Sequence, residues 1–259
     1  MLIRVTARLD SPVVIRDEMH LDAMLEAAHP LAQETHVGRG DGPEALKSFP
    51  IPLAHISWVG CRVPASSSAQ VSDGQLARDH LVRRKDGIDL DYLERSFNPG
   101  MGPGKNRMTP IQILAAPEVW WLVEGSWQGV RKILRRILFI GGLRTQGYGA
   151  VRCWEMDVAG PVDADRSPIY HDGQRAMRNV PAAWCEWHEH TRDGAYCAPY
   201  WHPARFAPIV PAGTRCILRS DVLVKLQALG RDERRAKERA EAAHQRWLVR
   251  QAKREAACS

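Results

Sequence analysis

No stretch of this 259-residue sequence is apolar for long enough to cross a bilayer. The first residues alternate like a strand and show no signal-peptide pattern. Cysteine is scattered: Cys61, Cys153, Cys185, Cys197, Cys216 and Cys258 form neither a CxxC pair nor a dense framework. Free thiols in a reducing cytoplasm are therefore the expectation. The constellations of the common hydrolases are also missing, since no Ser-His-Asp order, paired carboxylates or HExxH stands out. Neither does a glycine-rich turn follow a strand and open a helix, which argues against the P-loop and dinucleotide fingerprints.

What is present is an ordinary globular balance of apolar and charged residues, enough to bury a core in one large domain or two small ones. The formal net charge is +6. Arg231 to Glu255 holds nine Lys/Arg against five Asp/Glu, which is +4 of that total. The rest of the chain is close to neutral, so any surface for nucleic acid has to be a local patch.

Along the chain, Ile3, Val5, Ala7 and Leu9 alternate with Arg4, Thr6 and Arg8, which predicts a strand broken by Pro12. Leu21, Met24, Leu25 and Ala28 predict a helix that starts beside His20 and ends before Pro30. Leu53 to Val63 reads as a second strand, followed by the small-residue loop Pro64 to Ser68. From Val71 to Ala116 the pattern loosens. This segment reads either as a surface insertion without a partner or as a projecting finger. In the second case Arg83, Arg84, Lys85, Lys105 and Arg107 would reach along a phosphate backbone. Val119 to Val123 predicts a buried strand. Gln128 to Phe139 predicts a helix exposing Arg131, Lys132, Arg135 and Arg136, and Val151 to Val158 predicts a fourth strand.

That order predicts an α+β fold, the ferredoxin-like, RRM-like βαββαβ arrangement, over residues 1–160 with the finger inserted at 71–116. Residues 161–218, rich in Pro, Trp and His, are expected to form a β-rich or irregular region packed on it. Residues 219–259 read as a basic helical segment, in which Ser220 would cap a helix from Asp221 to Leu229.

Between the second helix and the last strand lies Ile140-Gly141-Gly142-Leu143-Arg144-Thr145-Gln146-Gly147-Tyr148-Gly149. A tight connection with a helix cap needs one glycine or two. Four in nine residues point to a partner that comes close to the backbone. With Arg144 and Tyr148 in the loop, a long polyanion is the fitting partner, and Tyr148 would serve as a platform for a base or sugar. Trp154, on the adjoining strand, reads as core.

Two other chemistries are weighed against this one. Cys185, His188, His190 and Cys197 supply four zinc-type ligands within thirteen residues, in a spacing that matches no common zinc module. A zinc-stabilised scaffold joining protein subunits is one alternative. The other is metal-independent RNA cleavage, with His20 as base toward a 2′-hydroxyl.

The segment Phe139 to Val151 resembles the signature glycine-rich loop of the CRISPR repeat-associated RAMP proteins. Leu2 to Val13, the His20-Leu21-Asp22 helix start and Cys197-Ala198-Pro199-Tyr200-Trp201 narrow the likeness. Together they are similar to the type IV CRISPR RAMP proteins that cap the crRNA 5′ handle, over roughly Met1 to Pro211. The resemblance implies a non-catalytic, cofactor-free, cytoplasmic subunit of a prokaryotic Cascade-like complex. Its partners would be the crRNA, the backbone RAMP subunits, the large subunit and nearby target DNA, with no membrane. Gly141, Gly142, Gly147 and Gly149 would shape the RNA-facing loop. Arg144 and Gln146 would contact phosphate or base edges, Tyr148 a sugar or base, and residues 71–116 would form the family's thumb. Lys105 and Arg107 are chosen on charge and position and match no motif position. The basic tail from Arg231 is expected to lay its cations on target DNA or guide RNA.

Overall fold

A computed structural model describes residues 1–15, 18–30, 49–58, 60–83, 107–160, 167–171 and 174–229. Its spine is strand β1 (Leu2–Leu9), which pairs antiparallel on one side with β6 (Glu118–Glu124) and on the other with β7 (Val151–Val158). Ile3 lies opposite Val123, Val5 opposite Trp121 and Ala7 opposite Val119, and all six side chains are buried. The period-2 alternation of β1 puts them on one face of the sheet. Helices α1 (Leu21–Ala27) and α2 (Trp127–Leu134) supply Leu21, Leu25, Val130, Ile133 and Leu134 to the same core cluster. Ser126 caps α2 by accepting a hydrogen bond from the Gly129 amide at 3.3 Å. Trp154 packs tilted against Trp121 with ring centroids 6.0 Å apart, and its Nε1 donates to the Ile137 carbonyl at 2.8 Å. On the opposite face the Arg4 guanidinium lies 4.3 Å from the Trp120 ring centroid, and Arg8 bridges Glu118 and Glu155.

Among the described residues the ferredoxin-like βαββαβ arrangement expected from the element order does not form. The sheet around β1 has three strands in the order β6–β1–β7, and the other strands belong to small separate antiparallel sheets. The reason lies in Leu53 to Val63, expected to be one strand. It doubles back at Gly60, which has a φ of +76°, and becomes the hairpin β2 (His55–Trp58) and β3 (Cys61–Pro64). The residues from Pro64 to Gln70 cannot extend the sheet as a regular strand. Pro64 lacks an amide donor, and Ser66 and Ser67 direct their hydroxyls to neighbouring carbonyls. This stretch pairs with β6 through isolated bridges, Ser66 to Val123 and Gln70 to Trp120, and the Leu122 amide donates to the Ser67 hydroxyl oxygen at 2.9 Å.

The loose segment after Val71 contains a regular hairpin, β4 (Gln75–Arg83) with β5 (Arg107–Ala115), in register from Gln75–Ala115 to Arg83–Arg107. Arg84, Lys85 and Lys105 fall outside the described residues, as does the basic tail. The helix expected over Gln128 to Phe139 is shorter. It stops at Leu134, and Leu138 and Phe139 are left exposed at 65% and 37%.

The C-terminal half has its own core of Ile169, Val180, Trp184, Val210, Cys216, Leu218 and Val222, joined by Ile56 and Val63 of the β2–β3 hairpin. Short strands β8 (Tyr170–His171), β9 (Arg175–Ala176), β10 (Val180–Pro181), β11 (Cys185–His188), β12 (Arg192–Ala195), β13 (Phe206–Val210) and β14 (Cys216–Leu218) surround it. Helix α3 covers residues 220–229. No helix among the described residues is long and apolar enough to cross a membrane.

Candidate nucleic-acid interface

The glycine loop is bolted to the turn that ends β1. The Gly149 amide donates to the Pro12 carbonyl at 2.8 Å, and the Ser11 hydroxyl donates to the Gly147 carbonyl at 2.7 Å. Ser11 Oγ also accepts from the Ala150 amide at 2.8 Å, and Arg152 pairs with Asp10 at 2.6 Å. The loop backbone is left-handed at Gly141, Leu143, Gly147 and Gly149. A Cβ on Gly149 would lie 1.9 Å from the Ile140 carbonyl oxygen, and one on Gly141 would lie 2.6 Å from that of Val14. Backbone geometry therefore accounts for more of the glycine count than a simple turn suggested. Gly142 differs. Its φ is not positive, and an added Cβ would make only ordinary contacts from 3.4 Å. Of the four, it is the glycine this fold does not demand.

Mounted on this frame, a single 3-10 turn (Arg144–Gln146) holds Arg144, Thr145 and Gln146 out to solvent. Beside it opens a cleft of about 1040 Å³, walled by the loop, the start of α1 and the β12–β13 hairpin. Arg136 and Arg144 bring positive charge to its rim. Phe139 and Phe206, 37% and 51% exposed, bring aromatic rings. Arg192 also lines it, paired with Glu18. Cations interleaved with exposed rings are what single-stranded nucleic acid binds, phosphates on the former and bases stacked on the latter.

Beneath the cleft lies a buried polar cluster. Arg178 is fully buried. Its Nη1 donates to the carbonyls of Pro64 and Ser66 at 2.6 and 3.0 Å, and its Nη2 to the Tyr196 carbonyl at 2.8 Å and the Tyr200 hydroxyl at 2.7 Å. Asp22, equally buried, lies 3.5 Å from the same Nη2 and accepts from the Tyr200 hydroxyl at 2.9 Å. His20 lies flat on Tyr200, ring centroids 4.8 Å apart, at the cleft wall. Burial first, then the Arg178 and Arg192 charges, drive the imidazole well below its ordinary pKa.

No family model matches this chain, and no curated protein matches it.

The residues singled out in the sequence fall into three places. Gly141, Gly142 and Arg144 line the cleft, while Gln146, Gly147, Tyr148 and Gly149 complete the loop beside it. The Tyr148 hydroxyl donates to Asp79 on β4 at 2.5 Å and ties the hairpin to the loop. Arg83 and Arg107 are the last described register pair of that hairpin. The proposed zinc set is not assembled. Cys185 shares a hydrogen bond with Cys216, His190 lies 3.4 Å from the Thr214 hydroxyl, and Cys197 is buried near Arg178 and Asp22. No group of three or more potential ligands is found among the described residues. Phe206, Arg178 and the base of the cleft were missed. Phe139, Phe206 and Arg178 lie far apart in sequence and carry no local pattern that marks a shared site.

Proposed function

We propose that this chain is a non-catalytic guide-RNA-binding subunit of a type IV CRISPR ribonucleoprotein. It grips the crRNA 5′ handle along the glycine loop and the adjoining cleft, and it contacts the backbone RAMP and large subunits near target DNA. The observation that carries the reading is the rigid mount of the loop. Clamped at Ser11 and Pro12, it presents Arg144, Thr145 and Gln146 beside a cleft rimmed by Arg136, Phe139 and Phe206. The motif resemblance over Met1 to Pro211 supplies the identity of the RNA.

The state of His20 favours binding over cleavage. A base for a 2′-hydroxyl works best with a pKa near the operating pH and within reach of the proton it takes. His20 is 2% exposed and has lost much of its basicity to burial. The test is binding and integrity of a labelled repeat RNA without metal, using the full chain alone and with its partner subunits. Intact RNA whose binding is weakened by Arg144→Ala supports the proposal. Cleavage that vanishes with His20→Ala makes the chain a processing nuclease.

A further inference from the structure

We infer that the outer edge of β7 is a strand-addition site for an extended segment of a partner protein, one that alternates apolar and cationic residues. The inference needs only the sheet around β1 and stands apart from the guide-RNA reading above.

In its sheet β7 is bonded to β1 alone. The Ala159 amide donates to the Leu2 carbonyl at 3.1 Å, and this bond fixes which residues face β1. Bonded pairs alternate along an antiparallel ladder. With Arg4 opposite Asp157, the main-chain groups of Cys153, Glu155 and Asp157 therefore point to β1. Those of Trp154, Met156 and Val158 point outward. Residues 138–140 fill the edge only as far as Val151, whose amide donates to the Leu138 carbonyl at 2.9 Å. Beyond it, no strand or bridge among the described residues pairs with β7 on that side. Sheets guard such edges with Pro, Lys, short strands or bulges. β7 has eight residues, no Pro and no Lys, and its one register shift lies at its start. A partner that covers the edge accounts for its being left so open.

The side chains along the edge then define the occupant, because cross-strand neighbours share a face of the sheet. Trp154, Met156 and Val158 share the face of Ala7, Val5 and Ile3, and Val158 is 57% exposed. Leu138 and Phe139 add exposed apolar surface at the head of the edge. The other face carries Glu155 and Asp157. Glu155 already holds Arg8, while Asp157 is exposed. An added strand continues both faces, so it would set apolar side chains beside Met156 and Val158 and cations beside Asp157. A second copy of this chain fits poorly. Two β7 strands paired about a twofold axis keep their faces, which gathers Glu155 and Asp157 of both copies on one side, where like charges repel.

The probe is a terminally blocked peptide of alternating valine and lysine, about eight residues long to match the strand. It is added to the full chain, and amide hydrogen exchange along β7 is followed by NMR. Binding should slow exchange at Trp154, Met156 and Val158 by about tenfold or more. The amides of Glu155 and Asp157, already tied to β1, should stay as they were. A valine–glutamate peptide should bind about tenfold more weakly, since it sets like charges against both carboxylates. Methylating the peptide's backbone nitrogens should abolish binding, because they can no longer donate to the ladder. Asp157→Asn leaves the edge backbone intact and should shrink the preference for lysine to about threefold. The inference is overturned if exchange at the three amides does not change, if the methylated peptide protects them equally, or if glutamate serves as well as lysine. It is also overturned if the chain alone sediments as a dimer with those amides protected, since a second copy then fills the edge.

Discussion

Replacing Gly149 by alanine separates what the loop needs for folding from what it needs for a ligand. The φ of +70° costs a non-glycine residue about 1–2 kcal/mol. The new Cβ would also sit 1.9 Å from the Ile140 carbonyl oxygen, in the backbone of the residue whose amide donates to the Gly149 carbonyl at 2.8 Å. Relieving that clash breaks the bridge, a net loss of about 1 kcal/mol, and strains the bond from the Gly149 amide to Pro12. The expected destabilisation is about 3 kcal/mol, in the upper part of the usual range for point mutants. Gly147→Ala meets open space and should cost only the left-handed penalty, about 1 kcal/mol. Gly142→Ala, with neither a positive φ nor a close contact, should stay within about 0.5 kcal/mol. Urea unfolding of the full chain followed by tryptophan fluorescence measures all three. A Gly149→Ala protein no less stable than Gly142→Ala would refute the loop geometry. Gly142→Ala is the informative case for function: if RNA approaches the loop backbone as proposed, the variant should bind repeat RNA more weakly at unchanged stability.

Asp22→Ala strips a fully buried guanidinium of its carboxylate and should cost about 3–5 kcal/mol in the same unfolding assay; a loss below about 1 kcal/mol would mean that the carbonyls around Arg178 suffice. The Tyr148 hydrogen bond and then the His80 amide hold the Asp79 carboxyl below its ordinary value of 3.8, so the stabilisation is complete above that value and is lost as pH falls through the lower folded one. Following the Asp79 carboxyl carbon by NMR, Tyr148→Phe should move the midpoint upward. Alkylation of the native chain near neutral pH should label Cys153, which is exposed, before Cys197, whose thiol burial pushes up to about 11; peptide mapping decides the order. If Arg136 and Arg144 each contact a phosphate, the double alanine variant should lower the salt-dependence slope of RNA binding by about 1.4, taking about 0.7 per single-strand contact.

Elements whose register is written in a local apolar period were readable: β1 from its alternation, α1 from Leu21 and Leu25, and β6 from its tryptophans. The failures have physical causes. In Leu53 to Val63 the apolar run continues through a turn, so hydrophobicity hid the reversal at Gly60, and with it went the expected sheet. The β4–β5 hairpin looked loose because, among its described side chains, Ile111 and Leu114 alone are buried apolar residues, while Leu76 and Met108 are exposed at 80% and 63%, too little of a buried face to impose a pattern. The loop's place between helix and strand was readable, but the reasons for its glycines depend on Pro12, Val14 and Ile140, which composition cannot place beside them. Arg178 was invisible for a similar reason. A buried cation announces itself only through the carbonyls that surround it, and these come from positions 64, 66 and 196.

The central position of β1 sets a timetable for synthesis. The ribosome makes this strand before both of its neighbours in the sheet, which are complete only at Glu124 and Val158. At about 5–20 residues per second, β1 waits roughly 6–23 s with both edges unpaired. An apolar strand in that condition is a template for pairing with other nascent chains. The yield of native protein should therefore depend on how well β1 is shielded during that interval, more than on the stability of the sheet once closed.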